Sequence, residues 1–449
     1  MKKRENIDIS FGSVCSGIEA AQLAFNQFGF KQTWSSEISE FPNKVLKHHH
    51  PEIPNLGDMT KIPQLILNKE VEAPKLFCGG TPCQAFSLAG WKNGLQDERG
   101  ELTMKFIEIA NAIDEVRKSE NKDSSIIFWE NVEGVLTNKT NPFGNFIAGL
   151  AGYDDEIKVK KWSKAGYIEG PKRNVAWRVL DAKHFGLPQQ RKRLYVLAGD
   201  KEFRPDLVLF ELDNKDIVSE QKVKQKIKKD KQQDLFSFAT AKENKSVFYK
   251  GDVKFEVFRD YTDCLYAAYG TKWNGNAAAY NGSLYVAQND RIRRFTPLEC
   301  ERLMGIPDNH TMVNGNSHTN RFQAVGNSWA VPVIEWIGKR IKEYEPSNIQ
   351  SNNWIKRLKN EPNNLNADLY LLGKVTLLSS SLYLNTSDIP NKPQKGSLED
   401  IVEYENVPDK FYLSKKACAG ILRRKEERNM NMNVKLEQLM MKNGVQHAI

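Results

Sequence analysis

The sequence lacks the patterns that mark zinc-binding, disulfide-rich or membrane-spanning proteins. No run of about 18 or more apolar residues occurs, and the start MKKRENIDIS has no apolar segment of the kind found in secretion signals. No C-x-x-C pair is present, so neither a zinc site nor a disulfide framework is indicated. We therefore expect a cytoplasmic protein in which a free thiolate persists. The six cysteines lie far apart: Cys15, Cys78, Cys83, Cys264, Cys300 and Cys418.

The sequence also lacks a strong charge imbalance. The 65 basic residues face 56 acidic ones, which gives a net charge of +9 over 449 residues. This small excess is compatible with a polyanionic partner but does not require one. A hydrophobic content of 40% and a charged content of 27% are ordinary for a soluble globular chain of more than one domain.

Residues 8–199 alternate short β-branched runs with longer amphipathic ones. IDISFGSV, KLFCGG, SSIIFWEN and RLYVLAG have the composition of strands, whereas GIEAAQLAFNQF and ELTMKFIEIANAIDEVRK have the composition of helices. This order predicts an α/β domain with a mostly parallel sheet. Further along, residues 215–245 are rich in lysine and glutamine and are predicted to be a mobile insertion. Helices are predicted at TPLECERLMGIP and AVPVIEWIGKRIKEY, and a basic helical stretch ends the chain.

Three predicted loops in the first part of the chain have the residue types of a nucleoside site. The tripeptide Cys15-Ser16-Gly17 separates a strand from a helix, where backbone amides can face a ligand. Glu37 ends the next strand and would bind ribose hydroxyls, and Asp58 would accept from an adenine amino group. The alternative is a turn glycine with two solvated carboxylates. Spacing does not separate NAD from S-adenosylmethionine, although the lack of G-x-G-x-x-G disfavours a dinucleotide.

A second group of residues has the pattern of a nucleophilic site. In GGTPCQAFS, Cys83 follows Pro82, whose ring stiffens the backbone. Cys83 is either a small buried hydrophobe or a nucleophile, and a nucleophile needs nearby positive charge. Glu130 closes the strand SSIIFW, where a carboxylate can act as an acid–base group, and Asn131 can fix its loop. Arg191 and Arg193, in PQQRKRLYV, are the candidate charges.

These stretches, taken in order, closely resemble the sequence blocks of DNA (cytosine-5) methyltransferases, particularly those of phages and prophages. The matching blocks are SVCSGIEAA, GGTPCQAFSLAG, ENVEGVL, PQQRKRLYVLA, RRFTPLECERLMGIP and AVGNSWAVPV. The resemblance covers residues 8–340 apart from a variable insertion. It implies a protein of a bacterial or phage-infected cell, a monomer, with S-adenosylmethionine as its cofactor and double-stranded DNA as its partner.

The resemblance also implies an architecture. We expect a Rossmann-like, S-adenosylmethionine-dependent methyltransferase domain, a small target-recognition domain that is mostly β or irregular, and a C-terminal helical extension. The predicted boundaries are 1–199 and 292–345 for the catalytic domain, 200–291 for target recognition, including the insertion 215–245, and 346–449 for the extension. The role of the extension is not implied, and its basic helix is expected to pack on the catalytic domain rather than to lie on DNA.

The implied chemistry answers why a thiol follows Pro82. By resemblance, Cys83 adds to carbon 6 of a cytosine that has been flipped out of the duplex. Glu130 binds the exocyclic amine and protonates ring nitrogen 3, and Arg193 contacts the base carbonyl oxygen. Arg191 holds the loop of the nucleophile and the phosphate. Carbon 5 then receives the methyl group.

The resemblance assigns the cofactor to loops at both ends of the matched region. Three positions depart from the family pattern. Cys15 stands where many relatives have an aromatic ring that stacks on adenine, so Ile38 is a candidate replacement wall. Glu19 and Ala20 stand where relatives have glycines. The predicted cofactor contacts are Cys15, Ser16, Gly17, Ile18, Glu37, Ile38, Asp58, Met59, Pro82, Asn327, Ser328 and Trp329.

The predicted DNA contacts fall near Cys83 and in the recognition region. The stretch at Leu265-Tyr266 differs from the threonine-leucine pair of many relatives, so the specificity loop is atypical. Residues in its glycine-rich part either read base edges or belong to an ordinary surface hairpin. The arginines that follow are expected to hold phosphates. The predicted contacts are Gln84, Ser87, Lys272, Trp273, Asn274, Arg291, Arg293 and Arg294.

The insertion contains QQDLFSF, which resembles the short peptides that dock on the bacterial sliding clamp. Gln232, Leu235 and Phe236 would make that contact, or the apolar pair packs into the recognition domain itself. The stretch HHH at 48–50 has no acidic partners at ligand spacing and is expected to be a helix end, so no metal is predicted. Two other functions remain open: a transfer-RNA cytosine-5 methyltransferase, and a catalytically silent protein that binds DNA or the clamp.

Overall fold

The chain divides into two compact units, and neither is continuous in sequence. The computed structural model describes residues 9–81, 98–214, 246–270, 280–344, 369–377 and 382–444. Unit 1 consists of Met1–Asp181, Lys192–Phe236 and Val333–Lys392, and unit 2 of Ala182–Arg191, Ser237–Pro332 and Pro393–Ile449. The C-terminal extension therefore contributes to both units, a division that the predicted domain boundaries do not express.

Fifteen strands and twelve α-helices lie in the described residues. The strands are β1 (Ser10–Val14), β2 (Lys31–Trp34), β3 (Leu76–Gly79), β4 (Ile126–Val132), β5 (Ala165–Glu169), β6 (Asn174–Asp181), β7 (Lys192–Gly199), β8 (Glu211–Asn214), β9 (Val247–Lys250), β10 (Val253–Val257), β11 (Tyr285–Gln288), β12 (Arg291–Arg294), β13 (Leu369–Leu372), β14 (Val375–Leu377) and β15 (Leu382–Asn385). The α-helices are α1 (Ala20–Phe25), α2 (Glu40–His49), α3 (Ile62–Leu67), α4 (Glu98–Ser119), α5 (Pro142–Ala151), α6 (Pro205–Leu209), α7 (Pro297–Leu303), α8 (His318–Asn327), α9 (Val331–Lys342), α10 (Leu398–Ile401), α11 (Lys415–Glu427) and α12 (Val434–Gly444).

The main sheet of unit 1 has eight strands in the order β13-β5-β6-β7-β4-β3-β1-β2. In one half of it, β1 pairs in parallel with β2 and β3, and β3 pairs in parallel with β4. Helices connect these strands, which confirms the predicted α/β class. Because the chain runs from β1 to β2 on one side and onward to β3 on the other, its connections diverge between β1 and β3. In sheets of this type, ligands bind where the carboxyl ends of such strands meet.

The other half of the sheet corrects the expectation of a mostly parallel sheet. From β4 outward, the neighbours β7, β6, β5 and β13 all pair antiparallel. Only residues 170–173 separate β5 from β6, and only residues 182–191 separate β6 from β7. A parallel crossover needs about a dozen or more residues, usually with a helix. The short connections therefore fix the antiparallel direction.

A core of unit 1 lies between the main sheet, including its antiparallel strands, and helices α3, α4 and α5. Phe77 of β3 stacks on Phe106 of α4 with ring centroids 4.5 Å apart. The last residue of β3 is Gly79, and a larger residue would not fit there. A Cβ at this position would lie 2.6 Å from the Cγ2 atom of Val14, at the end of β1. The two strand ends therefore approach each other closely. Helix α2 ends at His49, as expected for the HHH stretch. Among the described helices, none is long and apolar enough to cross a membrane.

Unit 2 is built around an antiparallel sheet in the order β12-β11-β10-β9. Strands β9, β10 and β11 lie in the region predicted to be mostly β or irregular, and β12 crosses its predicted end at residue 291. Buried apolar side chains on one face of this sheet pack against the last two helices of the extension. The shared core contains Phe258, Tyr280, Tyr285, Ala287 and Ile292 from the sheet region and Cys418, Ile421, Leu436 and Met440 from α11 and α12.

The first part of the extension belongs to unit 1 instead, where β13 is the edge strand of the main sheet and β14 and β15 form a separate three-stranded sheet with β8. Strand β13 pairs antiparallel with β5, and β15 pairs with β14 and β8. Arg178 of β6 is fully buried and donates to the carbonyl oxygens of Ser387 at 2.7 Å and Ile389 at 3.1 Å. The extension is therefore integrated into both units. Its basic helix α11 packs on the sheet of unit 2, which differs from the expected packing on the catalytic domain.

We predict that Ile421→Ala lowers the free energy of unfolding of unit 2 by about 3 kcal/mol, because the buried side chain leaves a cavity. The matched control is Val434→Ala on the neighbouring helix, where the valine side chain is 68% exposed, whereas Ile421 is 1% exposed. Chemical denaturation followed by circular dichroism measures both. Equal effects of the two substitutions would contradict the packing of α11 on the sheet.

Candidate functional site

The turn after β1 has the backbone geometry of a ligand-binding loop. Cys15 and Gly17 adopt left-handed conformations, with φ of 50° and 59°. A Cβ at Gly17 would meet no atom within 4 Å, so this face of the turn is open. Two hydrogen bonds between Ser16 and Ser36 fix the turn. The backbone N–H of Ser16 donates to the carbonyl oxygen of Ser36, and the backbone N–H of Ser36 donates to the hydroxyl of Ser16 at 3.0 Å. Ile18 is buried beneath the turn.

The carboxylate of Glu37 is held against this turn. One oxygen accepts from the backbone N–H of Gly17 at 2.9 Å, and the other accepts from the backbone N–H groups of Ile38 and Ser39 at 3.0 and 2.8 Å. The loops after β1 and β2 are thereby joined. The predicted ribose-binding acid therefore lies directly at the predicted glycine turn.

Asn55 joins the third loop to the same place, and the sequence pattern gave no signal for it. Its side-chain oxygen accepts from the backbone N–H groups of Glu37 and Gly57 at 2.9 and 3.1 Å, and its amide donates to the carbonyl oxygen of Glu37 at 3.0 Å. Asp58 follows, exposed, and accepts from the backbone N–H of Thr60 at 2.9 Å. This hydrogen bond lowers the pKa of Asp58. Glu37 and Asp58 are thus carried on loops that one asparagine connects.

Apolar groups border these loops. The side chain of Ile38 is 76% exposed, although it is large and apolar. Met59 is buried, and its sulfur lies 3.9 Å from the sulfur of Cys15. Burial, with the charge of Glu37 as a smaller cause, raises the pKa of Cys15 to about 12. Cys15 is therefore an inert thiol at neutral pH.

Glu19, where the resemblance implies a glycine, is a buried residue in the left-handed conformation, with φ of 61°. The hydroxyl of Ser13 donates to both carboxyl oxygens at 3.2 and 3.1 Å, and the same hydroxyl lies 2.7 Å from that of Ser16. Burial raises the pKa of Glu19 to about 7, against the opposing effect of hydrogen bonds from Gln32 and Ser13. Through Ser13, the carboxyl group of Glu19 is thus connected to Ser16 in the turn after β1.

The loop that leads to Cys83 begins at Thr81, which β4 holds in place. The side chain of Asn131 donates to the carbonyl oxygen of Thr81 at 2.8 Å, and the ring N–H of Trp129 donates to its hydroxyl at 3.0 Å. Thr103 of α4 lies 3.2 Å from the same hydroxyl. Cys83 lies only two residues beyond this anchor, outside the described residues.

Glu130, between those two β4 residues, forms an ion pair with Arg193 of β7. The Nε atom of Arg193 lies 3.1 Å from the Oε1 atom of Glu130, and both side chains are at most 15% exposed. The pair follows from the antiparallel register, in which Glu130 is opposite Tyr195 and Val132 is opposite Arg193. The predicted acid–base group and the predicted base-contacting arginine are therefore together.

Arg191 is buried in unit 2, where it holds the segment that follows β10. Its guanidinium donates to the sulfur of Cys264 at 3.2 Å and to the carbonyl oxygens of Leu265 and Ser328 at 3.1 and 2.7 Å. Asn327 is exposed at the end of α8, Ser328 is buried, and Trp329 is partly buried. The roles predicted for these four residues stay predictions.

The arginines predicted to hold phosphates occupy different environments. Arg291 is exposed, pairs with Asp409 at 2.9 Å and stacks on Tyr412. Arg294 is partly buried. Arg293 is fully buried and pairs through two nitrogens with Glu299, at 2.8 and 2.7 Å. The phosphate contact expected of Arg293 is therefore corrected: its charge is compensated inside unit 2, where it joins the sheet to α7.

Comparison with known proteins decides the family. Residues 9–343 match the model of the C-5 cytosine-specific DNA methylase family. The chain belongs to this family. S-adenosylmethionine is the cofactor of these methylases.

Individual relatives of this methylase carry different names. It is 33% identical to the DNA N-6-adenine-methyltransferase of Escherichia phage P1, over 74% of this chain and 61% of that protein. It is 30% identical to the type II methyltransferase M1.ScrFI of Lactococcus lactis subsp. cremoris, over 73% of this chain and 76% of that protein. The methylase thus spans less than two thirds of the phage relative. The solved Dnmt2 methyltransferase of S. pombe matches with 16% identity and a TM-score of 0.46, over 75% of this chain and 99% of that one.

The residues of the first three loops fit the methylase cofactor chemically. The open glycine turn can bind a polar group through its backbone. The two carboxylates can accept from the hydroxyl and amino groups of the cofactor, and the exposed isoleucine can contact its apolar ring. Gly17, Glu37, Ile38 and Asp58 have these properties. Other predicted residues lie outside the described part of the methylase: Pro82, Cys83, Gln84, Ser87, Gln232, Leu235, Phe236, Lys272, Trp273 and Asn274.

Glu19 makes the stability of the methylase depend on pH. The pKa of about 7 in the folded protein exceeds the ordinary value of 4.5, so the folded state holds the proton more tightly. The contribution to stability is complete below about pH 4.5 and is lost as pH rises to about 7, a loss of about 3 kcal/mol. We predict that Glu19→Gln removes this dependence in denaturant titrations between pH 5 and 8. The control is the exposed Glu52→Gln; parallel profiles for wild type and Glu19→Gln would contradict the prediction.

We predict that Arg293→Met destabilises the methylase by about 3–5 kcal/mol, because it leaves the buried Glu299 carboxylate without its arginine partner, with only the backbone N–H groups of Thr296 and Glu403 as donors in the described part of the chain. The double substitution Arg293→Met with Glu299→Leu should recover most of that loss. Denaturant unfolding measures the stability, and DNA binding at several salt concentrations measures the number of phosphate contacts. A variant with unchanged stability and a salt slope reduced by about one would restore the phosphate role.

Proposed function

We propose that this chain transfers a methyl group from S-adenosylmethionine to carbon 5 of a cytosine in a short sequence of duplex DNA. Family membership gives the reaction class. The observation that carries the proposal further is the arrangement on β4, where Trp129 and Asn131 hold Thr81 while the intervening Glu130 pairs with Arg193. A Pro-Cys dipeptide follows Thr81 directly.

Cys83 begins the proposed reaction. Its thiolate forms a bond to carbon 6, and the electron pair of the carbon 5–carbon 6 double bond moves to carbon 5. Glu130 holds the exocyclic amine and donates a proton to ring nitrogen 3, and Arg193 donates to the carbonyl oxygen of the base. The duplex must release the cytosine, since neither face of a stacked base is accessible to the thiol.

The cofactor, when bound, supplies an electrophilic methyl group on a sulfonium. The Gly17 turn would bind its polar end, Glu37 its ribose, Asp58 its adenine amino group and Ile38 its ring. After carbon 5 has been methylated, a base removes the carbon 5 proton, the double bond re-forms, the bond between carbon 6 and sulfur breaks, and ring nitrogen 3 returns its proton to Glu130. Cys83 is thereby regenerated as a thiolate.

Four of the five other cysteines support this choice of nucleophile. Burial raises the pKa of the thiols of Cys15, Cys78, Cys300 and Cys418. A thiol with a raised pKa is a poor nucleophile at neutral pH. The antiparallel unit, with its exposed Arg291, carries target recognition in this proposal. Docking on the sliding clamp through residues 232–236 remains a separate prediction.

We predict that expression in a host without cytosine methylation produces 5-methylcytosine at one short sequence, and that Cys83→Ala abolishes it. Conversion sequencing gives the position, and mass spectrometry of nucleosides gives the modified base. Cys300→Ala, a buried cysteine outside the proposed machinery, is the matched control. Duplex DNA with 5-fluorocytosine at the target should form a stable adduct with wild type, because fluorine at carbon 5 blocks the final elimination.

Other results would redirect the assignment. N6-methyladenine in place of 5-methylcytosine would overturn the proposed base and agree with the name of the phage P1 relative. Unmodified DNA with methylated transfer RNA would favour the RNA enzyme. Modification that survives Cys83→Ala would overturn the proposed nucleophile.

A further inference from the structure

The linker between helices α11 and α12 contacts the chain at two places in unit 2. One place is just before a particular segment of the chain, and the other is just after it. That segment follows β10 and contains residues 259–270, and it returns at Tyr280. It is the part of the chain in which we expect target recognition. The linker residue that makes both contacts is Asn433.

Asn433 binds the segment where it begins and where it ends. Its side-chain amide donates to the carbonyl oxygen of Phe258 at 3.1 Å, and its backbone N–H donates to the carbonyl oxygen of Tyr280 at 2.9 Å. Both partners are buried, Tyr280 almost completely. Because buried carbonyl groups are costly to leave without a donor, these two bonds fix the separation of the two ends.

The same side chain also starts α12. The Oδ1 atom of Asn433 accepts from the backbone N–H groups of Lys435 and Leu436 at 3.1 and 3.2 Å. Leu436, on the first turn, is fully buried in the core that contains Phe258 and Tyr280. The orientation of the amide is therefore set by the helix, and the donor to Phe258 points in a fixed direction.

Within the segment, other contacts keep its course. Asn281 donates to Asp263 at 3.0 Å, and Asp263 pairs with Arg259 at 2.9 Å. The backbone of Thr262 donates to Pro188 and accepts from Gln190. The segment is thus shaped by its own residues and by the strand-like stretch at 188–191, and Asn433 adds a contact to Phe258 before it and to Tyr280 after it.

We propose that Asn433 is a positioning residue for target recognition, and that the extension is a working part of the recognition domain. This inference rests on the proposed function for its reading of specificity. Asn433 does not touch the base in this proposal. It acts through the backbone of the segment, which it holds at a fixed position relative to the sheet.

The test is Asn433→Ser. A serine hydroxyl preserves an acceptor for the start of α12 but removes the amide that donates to Phe258. A second variant, Asn433→Asp, caps the helix as well and places a carboxylate oxygen where the donor was. The matched control is Asn431→Ser, two residues earlier in the same linker, where the side chain is exposed.

We expect amide hydrogen exchange in residues 259–270 to quicken by about fivefold in Asn433→Ser, and further in Asn433→Asp, since about 1 kcal/mol of hydrogen bonding is lost. Exchange in residues 10–80 and the affinity for S-adenosylmethionine should stay unchanged. Sequencing of methylated host DNA should show the ratio of target to single-mismatch methylation falling by a similar factor. Asn431→Ser should match wild type in every readout.

The outcomes separate the two proposals. Unchanged exchange in residues 259–270 would overturn the positioning role, whatever the enzyme does to DNA. Faster exchange with unchanged discrimination would overturn the link to recognition. If wild type leaves DNA unmodified, the proposed function fails, and the exchange experiment still decides whether Asn433 positions the segment.

Discussion

The proposed reacting site depends on the hydrogen bonds that hold Thr81 against β4. Successive side chains of a strand point to opposite faces, so Trp129 and Asn131 reach Thr81 while Glu130 is free to pair with Arg193. One short stretch of β4 therefore does two things: it fixes the start of the Pro-Cys loop, and it presents a carboxylate. A strand end is a rigid support for such a task, since its backbone is already fixed by its neighbours.

The loops proposed to bind the cofactor are also held by the ends of neighbouring strands. The parallel pairing of β1 with β2 and β3 brings three carboxyl ends to one edge, and Asn55 and Glu37 then connect the loops by backbone hydrogen bonds. Glu19 adds a buried acid next to the turn. The turn therefore gains hydrogen bonds at the cost of a buried carboxyl group in the left-handed conformation.

The parallel strands and the residues of the proposed cofactor loops were predictable from the sequence, because strand composition and the order of motifs are local properties. The pairing of Glu130 with Arg193 was not, since it requires the antiparallel register of β4 and β7, which composition does not encode. The burial of Arg293 depends on Glu299 and on packing that no local pattern announces. Asn55 and Asn433 look like ordinary loop residues in the sequence, and only their backbone partners distinguish them.

The shared core of the antiparallel sheet has a consequence for synthesis. Tyr280 and Phe258 pack against Leu436 and Met440, which are separated from them in sequence by the whole return to unit 1. A ribosome makes the sheet strands long before it makes α12. The face of the sheet that packs on α11 and α12 therefore stays uncovered until translation has passed Met440, and the nascent chain carries an incomplete unit from the synthesis of β12 to that of α12.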